Sequence, residues 1–481
     1  MSNLDSPPLA RDGAVSRETV VAALVATPPS VSRETSRRRS KTLLIGASLA
    51  FLAIFAAACS KAAGPVGWAG AVPVTVGSQK LILVNHTGHL YALKDGSSNA
   101  QWQFPPKDKS TYPVSAETAA HINTAIDAFS IDAGAKTDLK QKVTDLTVSG
   151  PTAGALKDAI KASGATDKQK SDTSSLIDDA LSFEQNALGN LKALYGDTAV
   201  SSDGKTTYVP SFGGMLFAID TATGNARWIR NVGAAMVGGV AVDGDNIYFG
   251  TRANRLYAVN GTTGEQVWAF KTAGEVWATP TIDNKILYVT SLDGSLYAID
   301  ETGKQKWVFS SSASGIAARA VVAGDAVYIG SFDDKLYSVK TSDGTMNWSI
   351  KAGNWFWAAP VVDKGVVYAA SLDGKVYAVD VSTGASKWSH PFDTTSAIRS
   401  SPVIAGNGLV VAARSGRVYK LDLASGEPAD NGTSVDIGQS ILANLSTSGD
   451  NTVYVLSSSA VLYVLDVSGA LTAPGSYPLP N

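Results

Sequence analysis

The sequence predicts an all-β fold, a β-propeller of eight or seven four-stranded antiparallel blades, and three observations point to it. One segment recurs almost unchanged, as SLDGSLYAID at 291–300 and as SLDGKVYAVD at 371–380. Aromatic residues repeat at steps of 40 residues between Phe217 and Tyr377. Within each copy, apolar and polar residues alternate with the period of two that a strand requires. Repeats of about 40–45 residues with four strands each are typical of propeller blades. The copies centre on Tyr91, Phe217, Tyr257, Tyr297, Tyr337, Tyr377, Tyr419 and Tyr463.

The copy at 278–309 shows how one predicted blade is built. A glycine, Gly294, lies between its second and third strands, and Gly303 lies between its third and fourth. Glycine accepts the positive φ of a tight hairpin turn, and Asn and Asp are the next most tolerant types. Other copies have Asn254 or Asp334 at the first of these places. The four predicted strands of this blade are 278–282, 286–290, 295–300 and 304–309.

One stretch interrupts the repeat and carries a helical pattern. Apolar residues there recur at i, i+4 and i+7, as at Ile122, Ile126 and Phe129, which predicts amphipathic helices. Short helices separated by Gly and Pro indicate a small bundle inserted between the first two blades. The predicted units are blade 1 at 69–106, the helical insertion at 107–195, blades 2–8 at 196–470, and a C-terminal tail or closing strand at 471–481.

The N-terminus has the layout of an export or anchor signal. Residues 1–41 are polar and end in a basic run, and we expect this lead to be disordered. Residues 42–58 carry no charge, and the only cysteine, Cys59, follows three alanines. The arrangement resembles the bacterial lipobox, whose cysteine receives the lipid. The segment 42–59 is therefore a lipoprotein signal or, alternatively, an uncleaved membrane span. Either one places the rest of the chain outside the cytoplasm, attached to a membrane.

Composition excludes several classes of function. The formal net charge is −2, which gives no electrostatic basis for binding nucleic acid. One cysteine and four scattered histidines allow neither a disulfide framework nor a Cys/His zinc site. The sequence contains no nucleotide-binding Gly-rich loop and no Gly-x-Ser-x-Gly nucleophile motif. We therefore predict no catalytic residue, no metal site and no cofactor.

Two segments carry a recognisable motif. Residues 218–228 read AIDTATGNARW, and residues 378–388 read AVDVSTGASKW. Both resemble the tryptophan-docking motif of the pyrroloquinoline-quinone (PQQ)-type propeller family. In that family the indole packs between neighbouring blades, which implies a structural role for these tryptophans. The motif weakens in the seventh and eighth copies, and this leaves the blade count open. The implied docking residues are Trp102, Trp228, Trp268, Trp307, Trp348 and Trp388.

Within that family, a membrane-anchored propeller of this kind resembles the BamB-type lipoproteins of the β-barrel assembly machinery. The resemblance implies a non-catalytic scaffold of the cell envelope whose partners are envelope or membrane proteins. An extracytoplasmic sensor that binds a ligand or carbohydrate is the alternative. A PQQ-dependent alcohol or sugar dehydrogenase is less favoured, because the sequence lacks the adjacent cysteines and the calcium-binding cluster common in those enzymes.

The starts of the first strands provide candidate binding residues. The first strand of a propeller blade is innermost, so residues at its start surround the mouth of the central channel. Trp and Arg, which occur at several of these starts, are enriched at binding hot spots. We predict an interaction surface on this face, with the helical insertion beside or over the mouth as a lid or docking arm. The alternative is that the tryptophans simply fill the channel. The candidate residues are Trp277, Trp355, Trp357, Arg319 and Arg399.

Overall fold

The computed structural model describes most of the chain from residue 69 onward. The predicted lead at 1–41, the signal or anchor at 42–59 and the lipidation candidate Cys59 lie outside the described residues. Within the part of the chain that is described, no helix is both long enough and apolar enough to cross a bilayer. The described ranges are 69–86, 88–94, 97–189, 191, 193–310, 314–429, 434–449 and 451–480.

The described residues form eight four-stranded sheets, and in each sheet the strands pair in chain order. The prediction of an all-β propeller is confirmed, with eight blades rather than seven. Blades 1 to 4 comprise β1 (Ala71–Val76), β2 (Gln79–His86), β3 (His89–Lys94), β4 (Ala100–Phe104); β5 (Ala199–Val200), β6 (Thr206–Pro210), β7 (Met215–Asp220), β8 (Ala226–Asn231); β9 (Val240–Asp243), β10 (Asn246–Thr251), β11 (Arg255–Asn260), β12 (Gln266–Lys271); and β13 (Thr281–Asp283), β14 (Ile286–Thr290), β15 (Ser295–Asp300), β16 (Gln305–Ser310). Blades 5 to 8 comprise β17 (Val321–Ala323), β18 (Ala326–Gly330), β19 (Lys335–Lys340), β20 (Met346–Lys351); β21 (Val361–Asp363), β22 (Val366–Ala370), β23 (Lys375–Asp380), β24 (Phe392–Asp393); β25 (Val403–Ala405), β26 (Gly408–Ala412), β27 (Arg417–Asp422), β28 (Ser434–Asp436); and β29 (Ser446–Thr447), β30 (Thr452–Leu456), β31 (Val461–Asp466), β32 (Thr472–Pro478).

The second and third strands of a blade are buried on both faces because neighbouring blades pack against them. In blade 4, β14 and β15 are buried over almost their whole length, whereas the outer strand β16 is largely exposed. Apolar clusters accordingly combine adjacent blades, as when Tyr248 of blade 3 packs with Leu287 of blade 4. Burial between blades is the main source of stability in this ring.

The turns between second and third strands need a left-handed residue. Gly294 supplies it in blade 4 with a φ of 82°. In blades 3 and 5 the same place is taken by Asn254 with a φ of 59° and by Asp334 with a φ of 66°. Asn and Asp adopt this conformation more readily than other side chains, so the hairpin is kept without glycine.

Six tryptophans join consecutive blades. Five lie in the fourth strand of their blade and Trp388 lies just before it, and each indole N–H donates to a backbone carbonyl of the next blade at 2.8–3.1 Å. Close packing against a glycine turn accompanies the bond: a Cβ added to Gly264, whose φ is +72°, would lie 2.9 Å from the indole Cδ2 of Trp228. The donor and acceptor pairs are Trp102–Thr221, Trp228–Gly261, Trp268–Glu301, Trp307–Thr341, Trp348–Val381 and Trp388–Leu423.

A lysine replaces the tryptophan between blades 7 and 8. The Nζ of Lys420 donates to the carbonyls of Val467 at 3.1 Å and Gly469 at 2.9 Å, and the side chain is only 2% exposed. Val467 directly follows the last residue of its third strand, as Leu423 does in the preceding blade, so Lys420 uses the carbonyl that an indole would use. Its strand partner Val410 stands where other blades have a tyrosine, which leaves room for the lysine stem.

Blade 8 closes the ring by packing against blade 1. Ile82 and Leu93 of blade 1 share one apolar cluster with Leu456 and Leu462 of blade 8. The last strand, β32, contributes Tyr477 to the same cluster. Residues 472–478 are therefore a strand of blade 8 and not a tail.

The insertion between blades 1 and 2 is a small helical bundle. Ser115 caps the first helix by accepting the Thr118 N–H at 3.2 Å, and Asp132 caps the second by accepting the Ala135 N–H at 2.9 Å. The apolar stripe that begins at Ile122 is buried in the bundle core. The helices found in the described residues are α1 (Ala116–Asp127), α2 (Ala133–Thr144), α3 (Thr152–Ala162) and α4 (Asp167–Gly189).

The bundle covers the outer edge of blade 2. Helices α1 and α4 pack against β8, the outermost strand of that blade. The Tyr112 hydroxyl donates to the Gly224 carbonyl at 2.8 Å, and Glu117 pairs with Arg230 at 2.5 Å. Gly224 lies in a turn between third and fourth strands, at the end of the ring away from the links between blades. The expectation of a lid over the channel mouth is therefore wrong, because α1 and α4 pack on β8 and none of the described helix residues lines the channel.

Candidate functional site

The channel face is the end of the ring that carries the links between blades and the turns between second and third strands. Backbone bonds join each turn to the preceding link, as when the Leu292 N–H donates to the Glu275 carbonyl and the Leu372 N–H to the Trp355 carbonyl, both at 2.9 Å. The same bond recurs around the ring, and the turn residue that donates it occupies an equivalent position at the mouth in each of these blades. In blades 2 to 7 these residues are Phe212, Arg252, Leu292, Phe332, Leu372 and Arg414.

A cavity of about 440 Å³ occupies the channel below this mouth. Four of the five candidate residues predicted from the sequence line it, namely Trp277, Trp357, Arg319 and Arg399. The fifth, Trp355, stands outside the lining and packs on the stack that holds Trp357. The five residues thus lie at one end of the ring: four of them line the cavity, and Trp355 lies outside the lining.

One wall of the mouth, from blades 5 to 7, is a stack of four side chains. Trp355 stacks on Phe332 with ring centroids 4.7 Å apart, and Phe332 stacks on Trp357 at 5.4 Å. The guanidinium carbon of Arg399 lies 4.4 Å from the Trp357 ring centroid, a cation–π distance. We call these four residues the blade 5–7 stack. The contacts between consecutive side chains in this stack hold the Arg399 guanidinium over the Trp357 ring.

The wall from blades 2 to 4 is a second aromatic network. Glu275 accepts the indole N–H of Trp277 at 2.6 Å and the Arg252 Nε–H at 2.8 Å. Arg252 lies 5.7 Å from the Phe212 ring centroid, and Phe212 meets Tyr195 edge-on at 5.2 Å. This network sets the orientation of Trp277, whose side chain packs in the same apolar cluster as Trp357. The two tryptophans therefore belong to one apolar cluster at the channel mouth.

Polar contacts at four blade junctions form part of a ring around the channel axis, which we call the polar ring. Its side-chain acceptors stand two places before the aligned start of a first strand. The backbone N–H of one blade donates to the side chain of the next: Gly70 to Asp197 at 2.9 Å, Gly239 to Thr279 at 2.9 Å, and Ala359 to Ser401 at 3.1 Å. Ser401 in turn donates its N–H to the Asn444 side chain at 3.1 Å. The sequence does not display this ring, because its members share no residue type; only their equal position in the repeat could have indicated it.

The charged groups of the channel act on one another. Burial raises the pKa of Asp197, while the Gly70 N–H and the charge of Arg319 oppose the rise. Burial lowers the pKa of Arg319, and Asp197 opposes that change. Burial also lowers the pKa of Arg399 to about 10, and the positive charge of Arg414 adds to the effect. The charges of Asp197 and Arg319 therefore oppose the effect of burial on each other, whereas the charge of Arg414 adds to it at Arg399.

The residues present do not fit the quinone and calcium of the PQQ-dependent dehydrogenases. Calcium takes six to eight oxygen ligands, usually with several carboxylates. The cavity lining holds one carboxylate, Asp197, which already accepts the Gly70 N–H. Nowhere in the described ranges do three or more His, Cys, Asp or Glu side chains converge as metal ligands. The arrangement can bind an apolar or charged group of another molecule, and it shows no nucleophile paired with a base.

Comparisons with known proteins agree with this fold. A crystal structure of BamB from Moraxella catarrhalis is similar over 56% of this chain and 82% of that chain, with a TM-score of 0.51 and 21% identity, which shows the shared fold alone. The designed protein Ika8 is similar over 57% of this chain and 81% of that chain, with a TM-score of 0.45 and 16% identity. No curated protein matches. A family model described as outer membrane protein assembly factor BamB matches residues 213–320 and 310–473, more than half of the 481 residues. This chain therefore belongs to the BamB family of PQQ-like propeller proteins.

Proposed function

We propose that this chain is a non-catalytic scaffold of the cell envelope that binds another envelope or membrane protein at the channel face. The blade 5–7 stack is the observation that carries the proposal. Trp355 and Trp357 are half-buried, so part of each ring remains accessible at the mouth, and Arg414 is exposed beside them. Rigid aromatic and arginine side chains held in place before binding are the usual anchors of protein interfaces.

The polar side chains of the channel join neighbouring blades rather than carry out chemistry. Thr279 and Ser401 accept backbone N–H groups of neighbouring blades, and Asp197 accepts the Gly70 N–H. A general base or nucleophile needs a lone pair directed at a reacting group. Here these side chains use their oxygens to join one blade to the next, so we assign them to the stability of the ring.

We further propose that the protein is held at a membrane outside the cytoplasm. The basis is the N-terminal sequence, with its uncharged segment 42–58 and Cys59 after three alanines. Anchoring would fix the orientation of the ring relative to the membrane and raise its effective concentration near membrane partners.

The helical insertion is proposed as a second docking element on the outer edge of the ring. Blade 2 is shielded there, because α1 and α4 cover β8. The bundle shares an apolar core with blades 1 and 2, in which Phe104 packs edge-on against Phe217 at 4.9 Å and lies 6.4 Å from Tyr112. Deletion of the insertion would expose this core, so its role is better tested by substitutions on its exposed surface.

A ligand sensor is the second candidate function. The cavity of about 440 Å³ is the observation that favours it, because small-molecule sites are concave and mostly apolar with a few placed polar groups. The contacts within the polar ring weigh against it, since they already occupy several of those groups.

Site-specific photocrosslinking in envelope membranes tests the proposed function. A photoreactive phenylalanine derivative replaces Trp355 at the channel mouth or, as a matched control, the exposed Ser382 in a turn at the opposite end of blade 6. We expect a discrete adduct with one envelope protein from position 355 and none from position 382. Equal adducts from both positions, or an adduct from position 382 alone, would show that the channel face is not the binding surface.

A further inference from the structure

The polar ring changes its chemistry at blade 5. In blades 2, 4, 7 and 8 the position two places before the first strand holds an oxygen-bearing side chain that accepts a backbone N–H from the preceding blade. Blade 5 has Arg319 at this position, two places before β17, as Thr279 stands two places before β13. Arginine donates through its N–H groups and has no acceptor, so Arg319 cannot take part in the ring in this way. Blade 5 therefore contributes a cation to the channel.

The guanidinium of Arg319 keeps most of its donors. Its Nε–H donates to the Thr281 hydroxyl at 3.1 Å, and that hydroxyl donates to the Ala320 carbonyl at 2.6 Å. Within the described ranges, the two terminal nitrogens of Arg319 have no hydrogen-bond acceptor and no carboxylate at ion-pair distance. The Thr281 contact holds the Nε side of the guanidinium, so the opposite edge, formed by the two terminal nitrogens, is left for a ligand.

The channel has room for a ligand beside this guanidinium. Arg319 lines the cavity of about 440 Å³ and is exposed within it, and ligand sites commonly have volumes in this range. Gly239 and Ala359, which take the equivalent position in blades 3 and 6, also line the cavity and bring no long side chain into it. Burial by the surrounding ring lowers the pKa of Arg319. A charge between protein walls acts on an ion more strongly than a charge on an open surface does.

An anion suits this site better than a cation. Asp197, the one carboxylate in the described lining, already accepts the Gly70 N–H at 2.9 Å, whereas the terminal nitrogens of Arg319 still have donors to offer. A planar guanidinium binds a carboxylate through two parallel N–H···O bonds. We propose that the channel binds a carboxylate ligand at Arg319, with the apolar part of the ligand against Trp277 and Trp357. This site goes beyond the proposed scaffold function, because it lies inside the channel rather than at its mouth.

Two pairs of probes, titrated by calorimetry into the full chain in detergent micelles, test the inference. Benzoate and benzamide share one shape and differ in charge, and they represent a free solute. The peptide acetyl-Gly-Phe-Glu-Phe-Gly-amide and its counterpart with Gln in place of Glu represent an acidic side chain of a protein segment. We expect at least one carboxylate to bind the parent about tenfold or more tightly than its neutral counterpart.

Three variants connect this preference to the guanidinium. Arg319→Gln should remove it, and Arg319→Lys, which keeps the charge but cannot form two parallel bonds, should reduce it severalfold. Arg417→Gln removes an arginine that is half exposed and outside the cavity lining, so it is the matched control and should keep the full preference. Melting curves of all three variants show whether the ring is still folded.

Equal binding within both pairs of probes would overturn the inference, as would a preference that survives Arg319→Gln. If Arg319→Gln does not fold, Arg319→Lys decides, and an undiminished preference in that variant would overturn the inference. Tighter binding of benzoate than of the acidic peptide would assign the site to a free solute, and the reverse order to a protein segment; both results support a carboxylate site. The adduct at position 355 tests the proposed function separately, since it depends on the mouth and not on Arg319.

Discussion

The lysine between blades 7 and 8 gives the sharpest test of how the ring is held together. Lys420→Met keeps an unbranched apolar stem of similar length but removes the ammonium group. The carbonyls of Val467 and Gly469 then lose donors at 3.1 and 2.9 Å in a buried setting. A hydrogen bond from a charged donor contributes about 1.5–3 kcal/mol, so two of them contribute about 3–6 kcal/mol. The folded methionine variant no longer has to bury a charge, and this offsets several kcal/mol of the loss.

The net loss expected for Lys420→Met is about 2 kcal/mol, because the two buried carbonyls find no replacement donor on methionine. The assay is urea unfolding followed by tryptophan fluorescence, with the midpoint compared between variants. Lys364→Met, at a lysine that is 87% exposed, is the control and should unfold like the parent. An unchanged or higher midpoint for Lys420→Met would refute the reasoning, since the cost of burying the charge would then exceed the gain from its hydrogen bonds.

Three further predictions concern the blade junctions, the insertion and the anchor. Trp348→Ala should lower the free energy of unfolding by about 3–5 kcal/mol in a denaturant titration, because a nearly buried indole leaves a cavity; a midpoint equal to the parent's would remove the docking role. Burial raises the pKa of Glu184 above its ordinary value of 4.5, so stability should fall as pH rises from about 4.5 through the raised pKa. Glu184→Gln should flatten this dependence in melting curves, and an unaltered pH profile would contradict the assignment. Cys59→Ser should release the protein from membranes in a fractionation experiment if a lipid is the anchor, whereas full retention would mean that 42–58 spans the bilayer.

The blades could be predicted because their signals are local. A strand needs alternating apolar residues, a hairpin turn needs a residue such as Gly294 or Asn254, and a docking indole needs a small residue beneath it. Each requirement leaves a fixed residue type at a fixed position, and the 40-residue step makes the pattern visible. The fold follows from these signals without knowledge of any contact between blades.

Other features depend on contacts that the sequence does not display. Lys420 bonds to the Val467 carbonyl, 47 residues away, and a carbonyl acceptor can belong to any residue type. The polar ring joins residues as different as Asp197 and Thr279, because a neighbouring N–H accepts any side-chain oxygen as partner. The packing position of the insertion on the ring could not be predicted from the sequence, for a related reason. The topology fixes the point at which the chain leaves the ring. The position of the bundle depends instead on which apolar surface of the ring it buries, and here that is the surface around β8.

In the proposed function, the blade 5–7 stack forms the partner-binding surface. The most direct measurement is the affinity of the partner captured at position 355 for the parent, for Trp357→Ala and for the control Ser382→Ala. Removal of a stacked aromatic anchor at the centre of an interface costs roughly 2 kcal/mol or more, which is about thirtyfold in affinity. We expect at least this loss for Trp357→Ala, with a melting curve close to the parent's and no change for Ser382→Ala. Equal affinity of all three proteins would contradict it.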